Sequence, residues 1–120
     1  MTHVLIVDDS PTETHVLKQI LAKEGYEVST APNGEEGIAR AKEIKPDVVL
    51  MDVVMPGLNG FQATRQLRKD PITEHIPVII VTTKDQQTDK MWGMRQGASE
   101  YLTKPVEPQT LIGTIKSVLK

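Results

Sequence analysis

Three stretches of this chain are apolar without interruption, and each ends on polar residues. Val4-Leu5-Ile6-Val7 runs into Asp8-Asp9, Val48-Val49-Leu50-Met51 into Asp52, and Val78-Ile79-Ile80-Val81 into Thr82-Thr83. Strands with one wet face alternate apolar and polar residues, whereas strands covered on both faces are apolar throughout. A chain with three such runs needs helices on both sides of a sheet, and the intervening sequence supplies them. Ser10-Pro11 is a cap residue followed by proline at a first helical position, and Val16, Leu17, Ile20 and Leu21 recur at helical spacing up to Gly25. Glu27 to Ala31 is a shorter, more polar strand. Asn33 opens a second helix with Glu36 as its capping-box partner. Ile38, Ala41 and Ile44 form its stripe, and Pro46 stops it.

Leu58, Phe61, Thr64 and Leu67 give a third helix one buried side, and Asp70-Pro71 starts a loop that runs to Pro77. The spacing predicts a fourth helix over Asp85 to Gln96, with Met91 and Met94 facing inward and Gly97 closing it. Ser99 to Thr103 is a fifth strand ending in Lys104-Pro105. Pro108 opens a last helix, in which Leu111, Ile112, Ile115 and Leu119 share a face. Strand and helix thus alternate five times, the pattern of an α/β doubly wound fold with a parallel sheet between two helix layers. The second and fifth strands are the polar ones and belong at the edges. The strand order is then 2-1-3-4-5, the flavodoxin-like (βα)5 sandwich, with a crevice between the carboxyl ends of the first and third strands.

Asp8 and Asp9 end the first strand, Asp52 the third, Thr82 the fourth and Lys104 the fifth, so all converge on one sheet edge. Carboxylates crowded together repel, and one of them must hold its proton more tightly unless a cation intervenes. With oxygen donors and no clustered histidine or cysteine, that cation is a hard ion such as Mg²⁺. A metal among carboxylates, beside an ammonium and a hydroxyl, suits phosphoryl transfer, with an aspartate able to act as nucleophile.

These residues bring the chain to a known family. Asp8-Asp9, the stretch Asp52-Val53-Val54-Met55-Pro56 with Gly60, Thr82, and Lys104-Pro105 resemble the motifs of the receiver domains of two-component response regulators, of the stand-alone, CheY-like type. The runs Val49 to Leu67 and Pro77 to Asp85 are most similar to regulators of type IV pilus twitching motility. The resemblance implies that Asp52 accepts a phosphoryl group from a histidine kinase. Asp9 would bind Mg²⁺ together with Asp52 and the backbone carbonyl of Val54, and Asp8 would act through a water. Lys104 would pair with the phosphoryl group and Thr82 would swing to hydrogen-bond it, with burial of Tyr101 following. Lys90 and Tyr101 would mark the output surface, and Lys104-Pro105 would be a cis peptide.

The expected protein is one receiver domain over residues 1–120 without an output domain, a protein-binding switch rather than an enzyme acting on a metabolite. Its partners would be the kinase and a downstream protein such as a pilus motor component. A phosphate sink or a flagellar-type chemotaxis regulator is the alternative. The chain of 120 residues has no cysteine, a formal charge of −2 and no basic stripe. That argues against disulfides, nucleic acid and membrane insertion, and for a cytoplasmic monomer. A flavin carrier would meet repulsion between its phosphate and Asp8-Asp9. A phosphatase would need a cap domain, and a DNA-binding regulator an output module. His3, His15 and His75 are dispersed. Met51, Met91 and Met94 read as core, and Trp92 as packed beneath the fourth helix.

Overall fold

The computed structural model describes residues 1–120. Ten elements alternate along it: β1 (His3–Val7), α1 (Pro11–Lys23), β2 (Glu27–Ala31), α2 (Gly34–Ile44), β3 (Val48–Met51), α3 (Gly60–Lys69), β4 (Val78–Thr82), α4 (Gln87–Arg95), β5 (Glu100–Thr103) and α5 (Pro108–Val118). The five strands are all parallel, in the order β2-β1-β3-β4-β5, so the expected topology holds, with the polar strands at the edges.

The helix starts follow local chemistry. Ser10 Oγ accepts from the Glu13 amide and Pro11 sits in the first turn of α1, so groups that would lack partners are satisfied. Asn33 Oδ1 accepts from the Glu36 amide, but the Glu36 carboxylate returns to the Asn33 side-chain amide rather than to its backbone. The box expected there is one-sided. The reciprocal box opens α3 instead, where Asn59 and Gln62 bond each other's backbone amides. At its other end α2 stops on Lys45, in the left-handed region at φ 46°, just before Pro46.

Alternation along the strands divides the core. Val4, Ile6, Val48, Leu50, Ile79 and Val81 face α1 and α5, where Leu17, Leu21, Leu111 and Ile115 meet them. Leu5, Val7, Val49, Met51 and Val78 face the other way, onto Ala41, Ala63 and Leu67 of α2 and α3. A fully buried leucine such as Leu50 contributes roughly 1.5–3 kcal/mol. That is ample reason for the register, since a slip of one residue would exchange the two faces.

Three helices depart from their expected stripes. Val16 of α1 and Leu119, just past α5, are exposed. The larger correction is α4: Met91, Trp92 and Met94 all point outward, each about half exposed, and only Gly93 of this helix is buried. The helix approaches the sheet at the glycine, so closely that its apolar side chains have no room beneath it. Trp92 and the two methionines are therefore surface residues, whereas Met51 is core as expected. No helix is long and apolar enough to cross a membrane.

Candidate functional site

Sheet pairing brings the acidic residues together. Val7 and Met51 are register partners across β1 and β3, so the residues after them emerge side by side. The Asp52 amide donates to the Val7 carbonyl at 2.9 Å, and the Asp8 amide donates to the Ala31 carbonyl at 3.1 Å. Carboxylate oxygens of Asp8, Asp9 and Asp52 all lie within 4.8 Å of one another. Asp8 and Asp52 are buried, whereas Asp9 is exposed.

Lys104 reaches this cluster from the end of β5, at the same edge of the sheet. Its amide donates to the Thr82 carbonyl at 2.8 Å, which holds the end of β5 against the end of β4. Its Nζ lies 2.8 Å from Asp8 Oδ2 and 3.3 Å from Asp52 Oδ2, with the side chain almost wholly buried. Glu13 Oε1 lies 3.9 Å from the same ammonium. The remaining oxygens of the two buried aspartates take backbone donors: Asp8 Oδ1 accepts from the Ser10 amide at 2.9 Å, and Asp52 Oδ1 from the amides of Val53 at 2.7 Å and Val54 at 3.4 Å. The Val54 side chain itself is exposed. The Lys104-Pro105 peptide is cis, as expected.

Burial pushes the Asp8 carboxyl up from its usual range, against the hydrogen bonds from Lys104 and the Ser10 amide. Burial also opposes the charged form of Lys104. The hydrogen bond to Asp8 and the negative charges of Asp52 and Asp8 together overcome it, so the ammonium is held above its ordinary range. Three carboxylates against one ammonium leave a net charge of −2 (−3 + 1 = −2) in a cleft with oxygen donors only. That donor set fits a hard divalent cation.

Thr82 is fully buried, and its Oγ1 accepts a long hydrogen bond, 3.5 Å, from the Lys84 amide. Tyr101 is already half-buried against Val53, Phe61, Ile80 and Ala98, and its hydroxyl donates to the Lys84 carbonyl at 2.7 Å. Burial, followed by the charges of Asp89, Asp52 and Asp85, pushes its phenol up to about 12. Lys90 is half-buried on α4. All the candidate residues at strand ends thus meet at one edge. Sequence reasoning missed Glu13 beside Lys104 and the Ser10 amide on Asp8. The cap at Ser10 was the available signal, because it turns α1 directly over the end of β1.

A doubly wound parallel sheet with an acidic cluster and a buried lysine at its central crevice defines a class of signalling receiver. The chain belongs to the response regulator receiver domain family, whose pattern matches residues 4–116. It is 66% identical over 119 residues to the protein PilH of Pseudomonas aeruginosa, an alignment spanning 99% of this chain and 98% of that one. Several other curated relatives, such as the response regulator PleD of Caulobacter vibrioides and the transcriptional regulatory protein AfsQ1 of Streptomyces coelicolor, are longer, and the chain spans 26% and 52% of their length, respectively. Among solved structures, it superposes on the chemotaxis protein CheY4 of Vibrio cholerae with a TM-score of 0.92 at 36% identity, over 99% of both chains. It also superposes on the receiver domain of the sensor histidine kinase PA1611 from Pseudomonas aeruginosa, with a TM-score of 0.91 at 28% identity, over 98% of this chain and 97% of that one. That receiver holds a magnesium ion coordinated in its active site cleft.

Proposed function

We propose that this chain is a phosphoryl receiver in which Asp52 is the acceptor. The observation that carries the reading is the placement of Lys104, whose ammonium bridges Asp8 and Asp52 at the mouth between β1 and β3. A carboxylate oxygen of Asp52 attacks the phosphorus of a kinase phosphohistidine. The O–P bond forms as the P–N bond breaks, and the electron pair leaves with the imidazole nitrogen. Lys104 compensates the charge of the transferred group, and the Thr82 hydroxyl donates to one of its oxygens. Asp9, Asp52 and the Val54 carbonyl would hold Mg²⁺, with Asp8 as an outer partner. When bound, the ion neutralises charge that builds up on the phosphoryl oxygens. The Val53 and Val54 amides orient the acceptor carboxylate.

The modified aspartate adds negative charge and acceptor oxygens, which pull on Thr82 and through it on the β4–α4 loop, Tyr101 and Lys90. The output is a change in protein binding, and the likeness to PilH favours a role in type IV pilus or chemotaxis-like signalling in the cytoplasm. Incubation with acetyl phosphate, with Mg²⁺ or with EDTA, followed by intact mass spectrometry, tests the proposal. A single phosphate adduct is expected on wild type with Mg²⁺ only, and none on Asp52→Asn. An adduct of equal yield on Asp52→Asn would overturn it.

A further inference from the structure

Helix α4 rests on the sheet through a residue that has no side chain. A Cβ added at Gly93 would stand 2.8 Å from Ile80 Cδ1, and 2.9 and 3.1 Å from Cδ2 and Cε2 of Tyr101. The Tyr101 ring therefore lies against helix backbone, in a notch that any side chain at position 93 would fill. The other side of the ring's setting is Ile80, its register partner on β4, which joins Val53 and Phe61 in the same cluster. From this seat the Tyr101 hydroxyl reaches the Lys84 carbonyl at 2.7 Å. The amide of Lys84 in turn donates to Thr82 Oγ1 across 3.5 Å. One chain of contacts thus runs from Gly93 through the ring and the β4–α4 loop to the hydroxyl at the end of β4.

Glycine is a poor choice for a helix interior, where alanine loses less backbone freedom. Nothing in the turn geometry of α4 requires it: Gly93 has no positive φ, unlike Gly97 at the helix end. Its only structural use is the close approach. Around it, Met91, Trp92 and Met94 lie outward, so the large apolar side chains of α4 do not supply this packing.

We infer that Gly93 is a positioning residue. By leaving the notch open it seats the Tyr101 ring, and the seated ring holds the backbone on both sides of the Lys84 Cα, and with it the Thr82 hydroxyl, at the sheet edge that carries Asp8 and Asp52. The inference deepens the acceptor reading and rests on it for its kinetic readout, but not for its structural one. A methyl group at 93 faces a rigid ring, which cannot bend away as a flexible side chain would. The ring must shift, and with it the hydrogen bond that its hydroxyl makes to Lys84 in the loop before α4 is weakened or lost.

The test is a cycle of four proteins: wild type, Gly93→Ala, Tyr101→Ala and the double variant. Tyr101→Phe is added, because it keeps the ring and removes only the hydroxyl. Hydrogen exchange at the Lys84 amide, without phosphodonor, reads the loop directly. Phosphorylation of Asp52 by acetyl phosphate in Mg²⁺ reads the consequence. Gly93→Ala should speed Lys84 exchange and slow phosphorylation by about 3- to 10-fold, the range that one net hydrogen bond covers. Tyr101→Phe should reproduce both effects. In the Tyr101→Ala background, Gly93→Ala should change neither, because the ring it would displace is gone. Unaltered Lys84 exchange in Gly93→Ala would overturn the inference, as would an equal effect with and without the Tyr101 ring, which would indicate helix packing alone. If wild type takes no phosphate on Asp52, the acceptor reading fails, while the exchange cycle still decides the role of Gly93.

Discussion

Removing the ammonium from the acidic mouth, by Lys104→Met, is the perturbation whose size follows most directly from the geometry. Methionine keeps most of the buried stem and removes the ammonium, with its charge and its hydrogen bonds to Asp8 and Asp52. At an effective dielectric constant of about 20, contacts of 2.8 and 3.3 Å each represent about 5–6 kcal/mol of attraction before desolvation is subtracted. Carboxylate oxygens no more than 4.8 Å apart repel by at least about 3 kcal/mol on the same scale. Desolvation of the lysine offsets much of the gain, but the aspartates stay buried after the substitution, so their cost remains. Breaking a buried pair by deleting one partner typically destabilises by about 3–5 kcal/mol, and that is the loss expected here at pH 7 without metal.

The pH dependence gives the argument a second handle. Asp8 is raised in the folded state above its unfolded value. In the window between those two values the folded chain binds more protons than the unfolded one, so ionising Asp8 lowers stability as pH rises through it. Without Lys104 the carboxyl should rise further, and the deficit should shrink as pH falls toward the ordinary carboxylate range. Mg²⁺ should also narrow the deficit, since without the competing ammonium the carboxylates bind the cation more tightly, and stabilisation of the folded state grows with the logarithm of ligand concentration over Kd. Urea unfolding of both proteins in EDTA and in Mg²⁺, at pH 7 and near pH 5, measures all three effects. A Lys104→Met protein within about 1 kcal/mol of wild type at pH 7 in EDTA would refute the reasoning.

Calorimetric titration should find Mg²⁺ binding abolished or severely weakened in Asp9→Ala, and weakened about 10–100-fold in Asp8→Ala, the range typical of an outer partner. Thr82→Ala should still accept phosphate but show a much smaller change in hydrogen exchange across residues 84–104 than wild type at matched occupancy. The lost hydrogen bond corresponds to about 5-fold or more in the switching equilibrium. In a Tyr26→Phe background, ultraviolet titration should place the Tyr101 phenol near 12, raised by burial. Because the unfolded phenol ionises first, near its ordinary value of about 10, stability should fall as pH rises from there through the folded value.

How far the sequence discloses this molecule depends on which physics dominates locally. Apolar runs of four residues bounded by turn signals read as strands covered on both faces, so β1, β3 and β4, their order and the meeting of Asp8, Asp52, Thr82 and Lys104 were all legible. Helix α4 was not. Hydrophobic spacing assigns Met91 and Met94 to the inside, but the sheet contact is made by Gly93, whose role lies in what it omits. Periodicity cannot register a close approach of backbone. Nor did periodicity give the burial of the adjacent aspartates: that Asp8 is buried against Lys104 while Asp9 faces solvent is decided by strand pairing and by the turn into α1. The capping box at Asn59 and Gln62 was readable from its spacing, a cap residue followed three positions later by glutamine.

The central claim is that Asp52 itself carries the phosphoryl group. An aspartyl phosphate is an acyl phosphate, and borohydride reduces it to homoserine while leaving free carboxylates intact. Wild-type protein treated with acetyl phosphate and Mg²⁺, reduced, digested and mapped by mass spectrometry should show homoserine at position 52 and at no other aspartate, and none when EDTA replaces Mg²⁺. Homoserine at position 8 or 9 with position 52 unmodified would contradict the account.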